Sequence, residues 1–210
     1  MESREVWNSR ISEAALSLGF REGYKILYVP WETLGKSDTV FLSLNPGRPP
    51  HNAALNTLSD ERGNSYEVER TTTASPITAQ FLALSELLKL KPKDILTGTV
   101  APFRSDRWKT LSPTQRNGAL AIGKEFWRQA FSLKRPKKVI ACCPEAARVA
   151  VDILGGKPEL TIRSGWGDTS LRRYRASDGA LIAQIPHLST FRLLSRGECR
   201  EPLRTILELS

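Results

Sequence analysis

The chain has 210 residues, enough for one well-cored domain and short for two. Hydrophobic residues make up 40% and charged residues 25%, and no apolar run nears the roughly 18 residues of a membrane helix, so a soluble cytoplasmic protein is expected, with no membrane partner. The net charge of +9 favours a polyanionic partner and a nucleoid-associated location.

Residues 3–19 place Val6, Ile11, Ala14, Ala15 and Leu18 at helical spacing and stop at Gly19. Residues 39–44 are a short apolar run cut by Asn45-Pro46-Gly47, the pattern of a buried strand feeding a loop. Residues 48–75 are polar and aperiodic, which in a compact domain marks a functional or mobile connection; His51 in it reads as solvated. Ser75-Pro76 then opens a helix, with Pro76 at its first position, Ser75 as cap, and Phe81, Leu84, Leu87 and Leu88 as the apolar face.

Residues 95–100 form a second strand candidate, ending at Ala101-Pro102-Phe103-Arg104. Residues 113–131 read as a helix with Leu120, Ile122, Phe126 and Trp127 facing inward. Val139 to Cys143 is a third strand, and Pro144 opens a helix closed by Gly155-Gly156. Leu171–Tyr174 and Leu181–Ile185 form a strand pair turned at Ser177-Asp178-Gly179, and a last helix covers residues 198–209. Strands alternating with helices imply an α/β domain with a largely parallel sheet, whose ligands bind beyond the carboxyl ends of strands. Asn45-Pro46-Gly47, Gly98 to Arg104, and His187 to Arg192 all stand at such ends.

Adjacent Cys142 and Cys143 point to opposite faces of a strand and read as buried structural thiols. With three cysteines and no C-x-x-C pattern, neither a metal nor an iron–sulfur cofactor is expected. In Leu42 to Gly47, Pro46 fixes the backbone and Gly47 allows a reversal, so Asn45 is held at a strand end; a plain strand-exit turn would use the same residues. His187 follows an apolar strand in Ile185-Pro186-His187-Leu188-Ser189-Thr190-Phe191-Arg192, as a structural histidine also could. Phe103, Tyr66 and Trp166 are either stacking groups or core and turn packing.

Together these segments resemble the uracil-DNA glycosylase superfamily, above all its mismatch-specific and single-strand-selective branches. Leu42 to Gly47 is similar to the family's Gly-x-Asn-Pro-Gly motif, with Ser43 in place of glycine. His187 to Arg192 is similar to its His-Pro-Ser-Pro motif, with Leu188 in place of proline. Thr97 to Ser105 resembles Thr-Asn-Leu-Val-Pro-Phe-Arg-Ser, with Gly98 where the family carries the asparagine that reads a pyrimidine. The resemblance spans about residues 37 to 195.

It implies one domain over residues 1–210, a three-layer α/β/α sandwich around a central, largely parallel four-stranded sheet. It implies a monofunctional, cofactor-free DNA N-glycosylase, a monomer acting on single- or double-stranded DNA. Asn45 would position water, and His187 would hydrogen-bond the departing base. Pro46, Gly47, Gly98, Phe103 and Tyr66 would line the base pocket. Ser189, Phe191, Arg192, Arg104, Arg172, Arg173 and Arg175 would contact DNA, with Phe191 filling the gap left by the flipped nucleotide. Gly98 would open room for an enlarged cytosine such as those of phage genomes, which suits a defence role; alternatively Tyr66 or Asn64 would read uracil. A catalytically weak DNA-binding module on the same fold is the rival reading. A small-molecule α/β hydrolase is disfavoured, because no Gly-x-Ser-x-Gly elbow occurs.

Overall fold

The computed structural model describes residues 1–47, 55–72, 75–105 and 107–209. His51 lies outside these residues, as do the rest of 48–54 and residues 73–74 of the polar stretch. The described residues form six strands and six α-helices in one mixed sheet with helices on both faces.

The parallel part of the sheet is built from β1 (Thr39–Ser43), β2 (Ile95–Thr99), β3 (Lys138–Ala141) and β6 (Leu181–Gln184), in the order β2-β1-β3-β6. Leu42 lies opposite both Gly98 and Ala141, and Ala141 lies opposite Gln184, so the four carboxyl ends share one edge. Side chains alternate strictly. Val40, Leu42, Val139, Ala141 and Ile182 enter one core, whereas Phe41, Ile140, Leu181 and Ala183 enter the other.

Two further strands correct the four-stranded expectation. β5 (Ser170–Arg175) pairs antiparallel with β6, and β4 (Lys157–Arg163) pairs antiparallel with β5 at the sheet's edge. β4 has no counterpart among the elements expected from the sequence. Its Lys-Pro-Glu start and largely exposed side chains suit an edge strand, where proline and charge discourage pairing with another chain. The opposite edge is covered. Residues 24–29 run along β2, with the Thr99 N–H bonding the Ile26 carbonyl at 2.9 Å and the Tyr28 N–H bonding the Thr97 carbonyl at 2.8 Å.

The first core lies under α1 (Arg4–Ser17), α4 (Pro113–Leu133) and α5 (Pro144–Leu154). The second lies under α2 (Ser65–Val68), α3 (Pro76–Leu87) and α6 (Arg200–Leu207). Local chemistry sets the helix ends. Ser112 and Gln115 form a reciprocal capping box on α4. The Cys143 Sγ accepts from the Ala146 N–H at 3.3 Å at the start of α5, and Gly155 in the left-handed conformation ends it. Ser75 takes the cap position of α3, yet its hydroxyl makes no capping bond. Inside α4 the buried face is Ala119, Gly123, Phe126 and Trp127, while the expected Leu120 and Ile122 are only partly buried. No described helix is long and apolar enough to cross a membrane.

Candidate active site

Asn45 leaves β1 at the common carboxyl edge. Beyond the strands the loops after β1 and β2 stay joined, with Val100 N–H to Ser43 carbonyl at 2.9 Å and Ala101 N–H to Leu44 carbonyl at 2.8 Å. This brings Ser105 to Asn45, whose Nδ2 donates to the Ser105 Oγ at 3.1 Å and its carbonyl at 3.4 Å. A carbonyl can only accept, so the contact fixes which way the amide faces and leaves Oδ1 as an acceptor with no partner among the described residues. Pro46 and Gly47 follow as a half-exposed turn, with Gly47 at φ 62°.

His187 leaves β6 at the same edge and is half-buried. Its carbonyl accepts from the N–H groups of Thr190 and Phe191 at 3.0 and 2.9 Å, so residues 187–191 wind as one turn. Its Nδ1 lies 2.7 Å from the Ser189 Oγ and accepts from the Ser189 N–H at 3.3 Å. An Nδ1 that accepts a backbone N–H leaves the ring proton on Nε2, which then serves as the outward donor. Burial pushes the imidazole pKa below its ordinary value, while the Glu145 carboxylate pulls it upward. Ser189 is thereby occupied in orienting the ring, a different duty from the phosphate contact expected of it.

Hydrogen bonds from β3 and α3 hold this turn and the segment after it. The Cys142 Sγ accepts from the Leu188 N–H at 3.1 Å and lies 3.8 Å from the Pro186 carbonyl, gripping both neighbours of His187. Burial raises the Cys142 thiol to about 12, so it stays protonated and able to donate to that carbonyl. Gln80 of α3, itself buried, donates to the Ser195 Oγ at 2.6 Å and accepts from the Leu194 N–H at 2.8 Å. Leu188 is fully buried and anchors the turn in the core.

β3 separates β1 from β6, so two strand spacings of about 4.8 Å put the exits to Asn45 and His187 roughly 10 Å apart. The amino end of α5 fills the interval: Cys143, Pro144 and Glu145. Glu145 is a group that sequence reasoning missed. It is one acid among many until the topology sets the first turn of α5 between the two loops. Asn45 and His187 therefore stand on one edge, with the first turn of α5 following the strand between theirs and its Glu145 carboxylate acting on His187.

Other expected pocket residues are not at this edge. Phe103 is fully buried and stacks on Phe20 at 4.5 Å. Tyr66 is buried between Tyr28, stacked at 5.3 Å, and Phe81 at 4.7 Å. Asn64 is fully buried, donating to the Pro92 carbonyl and the Thr97 Oγ1 and capping α2. None of the three has a face free for a base.

Gly98 is also core. A Cβ there would lie 2.3 Å from the Ile26 carbonyl oxygen and 2.7 Å from the Trp127 ring, whose Nε1 donates to the Thr99 carbonyl at 2.8 Å. The missing side chain makes room for the strap over β2 and for a tryptophan, and it opens no substrate pocket. Gly98→Asn is expected to cost about 3 kcal/mol or more by overpacking. A urea midpoint equal to wild type would contradict that.

The basic residues divide as well. Arg104 is buried beside Tyr28 and Glu69, with its Nε on the Leu55 carbonyl at 3.4 Å. Arg173 and Arg175 are shared between Glu159 and Glu208, so their charge is largely matched within the protein. Arg175 also lies at the amino end of β6, opposite Leu181. Arg172, opposite Gln184, and Arg192 are exposed on the side of the site. Arg192 borders a groove of about 690 Å³ along α3, with Arg70 and Lys91. A cavity of about 710 Å³ opens at the far end of the sheet, where Asp38 and Thr39 begin β1, and it contains none of the motif residues. Among the described residues no cluster of three or more His, Cys, Asp or Glu side chains is arranged to hold a metal ion.

Compared with known proteins, the chain matches no family model and no curated sequence.

Proposed function

We propose that the protein is a DNA N-glycosylase that draws one nucleotide out of the strand and hydrolyses its bond between sugar and base. The observation that carries this reading is the presence, on one sheet edge, of an amide oriented by Ser105, its oxygen without a partner among the described residues, and an imidazole whose Nδ1 accepts from Ser189 and so keeps its proton on Nε2. The order of the parallel strands, the exposed Arg172 and Arg192, and the net charge of +9 support a nucleic-acid substrate.

The chemistry asks for little more. As the glycosidic bond breaks, its electron pair leaves with the base and positive charge develops on the sugar. The His187 Nε2–H meets the negative charge growing on the base carbonyl, and Asn45 Oδ1 orients water toward the anomeric carbon. The water oxygen bonds to the sugar, and its proton passes to solvent or to the departing base. An amide is a poor general base, so the substrate is an aberrant or modified pyrimidine that leaves readily. With Gly98 in the core, the route from that residue to an enlarged cytosine lapses, and the size of the base is set by other groups.

The test is a panel of labelled oligonucleotides carrying uracil, a thymine mismatch, or a bulky substituted cytosine, in single strands and duplexes, scored for alkali-labile abasic sites. Base release from one class is expected. Binding without release from any substrate would instead assign a DNA-binding module to this fold.

A further inference from the structure

The hairpin joining β4 to β5 turns at residues 164–169, beyond Ser170. Because β5 runs antiparallel to β6, this tip stands at the same edge as His187. It is a built element. Ser164 and Thr169 hydrogen-bond side chain to side chain, the Trp166 N–H donates to Ser164 Oγ at 3.1 Å, and the Thr169 hydroxyl donates to the Trp166 carbonyl at 2.7 Å. Gly165, at φ 84°, lets the tip press on the Glu198 carbonyl, where a Cβ would lie 2.3 Å away. The hairpin is thus fastened to the segment that follows the His187 turn.

Trp166 is what this fastening displays. The Arg196 guanidinium lies over its ring at 3.4 Å from the centroid, and Phe191 meets it edge to face at 6.1 Å. Phe191 belongs to the His187 turn, so indole and imidazole are carried by one rigid unit. The Trp166 ring remains partly exposed; Arg196 on it is exposed, as are Arg172 of β5, Arg192 beside Phe191, and Arg163, which pairs with Asp168 at 2.9 Å. A half-exposed indole held in place by its own backbone and backed by a guanidinium, with exposed arginines on the same hairpin and the adjoining turn, has the composition of a stacking site for a nucleobase with its phosphate. Core packing alone would not leave the ring open or set a cation on it.

We propose that Trp166, held between Arg196 and Phe191 on the β4–β5 hairpin, stacks on a DNA base neighbouring the nucleotide drawn into the Asn45–His187 cleft. The inference rests on the DNA reading and not on catalysis. Phe191 then works as a buttress of the indole, not as a lone wedge. Exposed Arg192 and Arg196 pair with the flanking phosphates.

Fluorescence anisotropy of the full chain with a labelled 15-mer tests this, as a single strand and as a duplex carrying a tetrahydrofuran abasic-site analogue. Trp166→Ala is expected to weaken binding about 10-fold, within the range that one base-stacking aromatic supplies. Trp166→Phe should recover most of the affinity. Arg196→Gln, which leaves the hairpin's anchors in place, should weaken binding and flatten its dependence on salt. Thermal melts of the three variants identify any that fail to fold. Tight binding by wild type with no loss in either Trp166→Ala or Arg196→Gln overturns the proposal, even if base release is robust. Loss of affinity in these variants, with no base released from any oligonucleotide by wild type, keeps the interface and removes the glycosylase reading.

Discussion

Replacing Asp60 by alanine is expected to lower the unfolding free energy by about 3–5 kcal/mol, the usual cost of stranding one member of a buried ion pair. Lys25 is 7% exposed; its ammonium sits 3.0 Å from the Asp60 carboxylate, 2.8 Å from the Ser65 hydroxyl and 4.9 Å from the Tyr28 ring centroid. Arg62 forks onto both oxygens of the same carboxylate at 2.9 Å each, and Ser65 donates a further bond at 2.9 Å. Burial pushes the Asp60 carboxyl up, but Arg62 and Lys25 outweigh it and hold the group well below the usual carboxylate range. Burial lowers the Lys25 pKa, and Asp60 opposes that shift.

Without Asp60, the ammonium must lose its proton or remain charged and unpaired, and either course costs folding energy. Lys25→Met with Asp60→Ala should recover most of the loss, because two apolar groups leave no orphan charge. Urea unfolding measures both, and a wild-type midpoint for Asp60→Ala would refute the argument. The pH dependence has a fixed sign. A carboxyl depressed in the fold adds stability that is complete above the ordinary Asp value near 3.9, and loses it as pH falls through the lower folded value. The effect reaches the site, because the Lys25 N–H bonds the Pro102 carbonyl and the Arg104 N–H bonds the Gly23 carbonyl, steadying the loop that ends at Ser105.

Elements bounded by strong local chemistry were legible in the sequence. β1, β3 and β6 are apolar runs cut by Pro or Gly, and α5 begins at Pro144 and ends before Gly155 as its flanks require. β4 was not legible, because an edge strand has one neighbour and keeps the polar sequence of a loop. The meeting of Asn45 with His187 was legible only as a shared position at strand ends.

Which way a residue faces was not legible. An aromatic ring such as Phe103 or Tyr66 is equally good as core or as platform, and a glycine such as Gly98 empties space that either a ligand or another side chain can fill. Partners distant in sequence decided these cases: Phe20 for Phe103, Trp127 for Gly98, and Glu208 for Arg173 and Arg175. Glu145 and Cys142 gained a role the same way, through β3 lying between β1 and β6.

His187→Ala is expected to slow base release about 10²–10³-fold, the cost of losing one preorganised donor at a developing oxyanion. Asn45→Ala should cost about 10²-fold or more, since the nucleophile loses its orientation. Both losses should fall on the single-turnover rate and spare DNA affinity, because in the proposed mechanism both side chains act on the reacting sugar and base. The wild-type rate should hold steady above pH 6.5, where the imidazole is neutral, its Nδ1 accepts from Ser189, and its proton sits on Nε2. Below that value protonation of Nδ1 removes the acceptor for the Ser189 N–H and undoes the turn that aims the ring. Burial in the fold sets this acid limb lower than that of a free histidine. NMR titration of the His187 ring gives its midpoint independently of the rate. Base release that survives His187→Ala unchanged, or a ring that titrates above 6.5, would remove the imidazole from the mechanism.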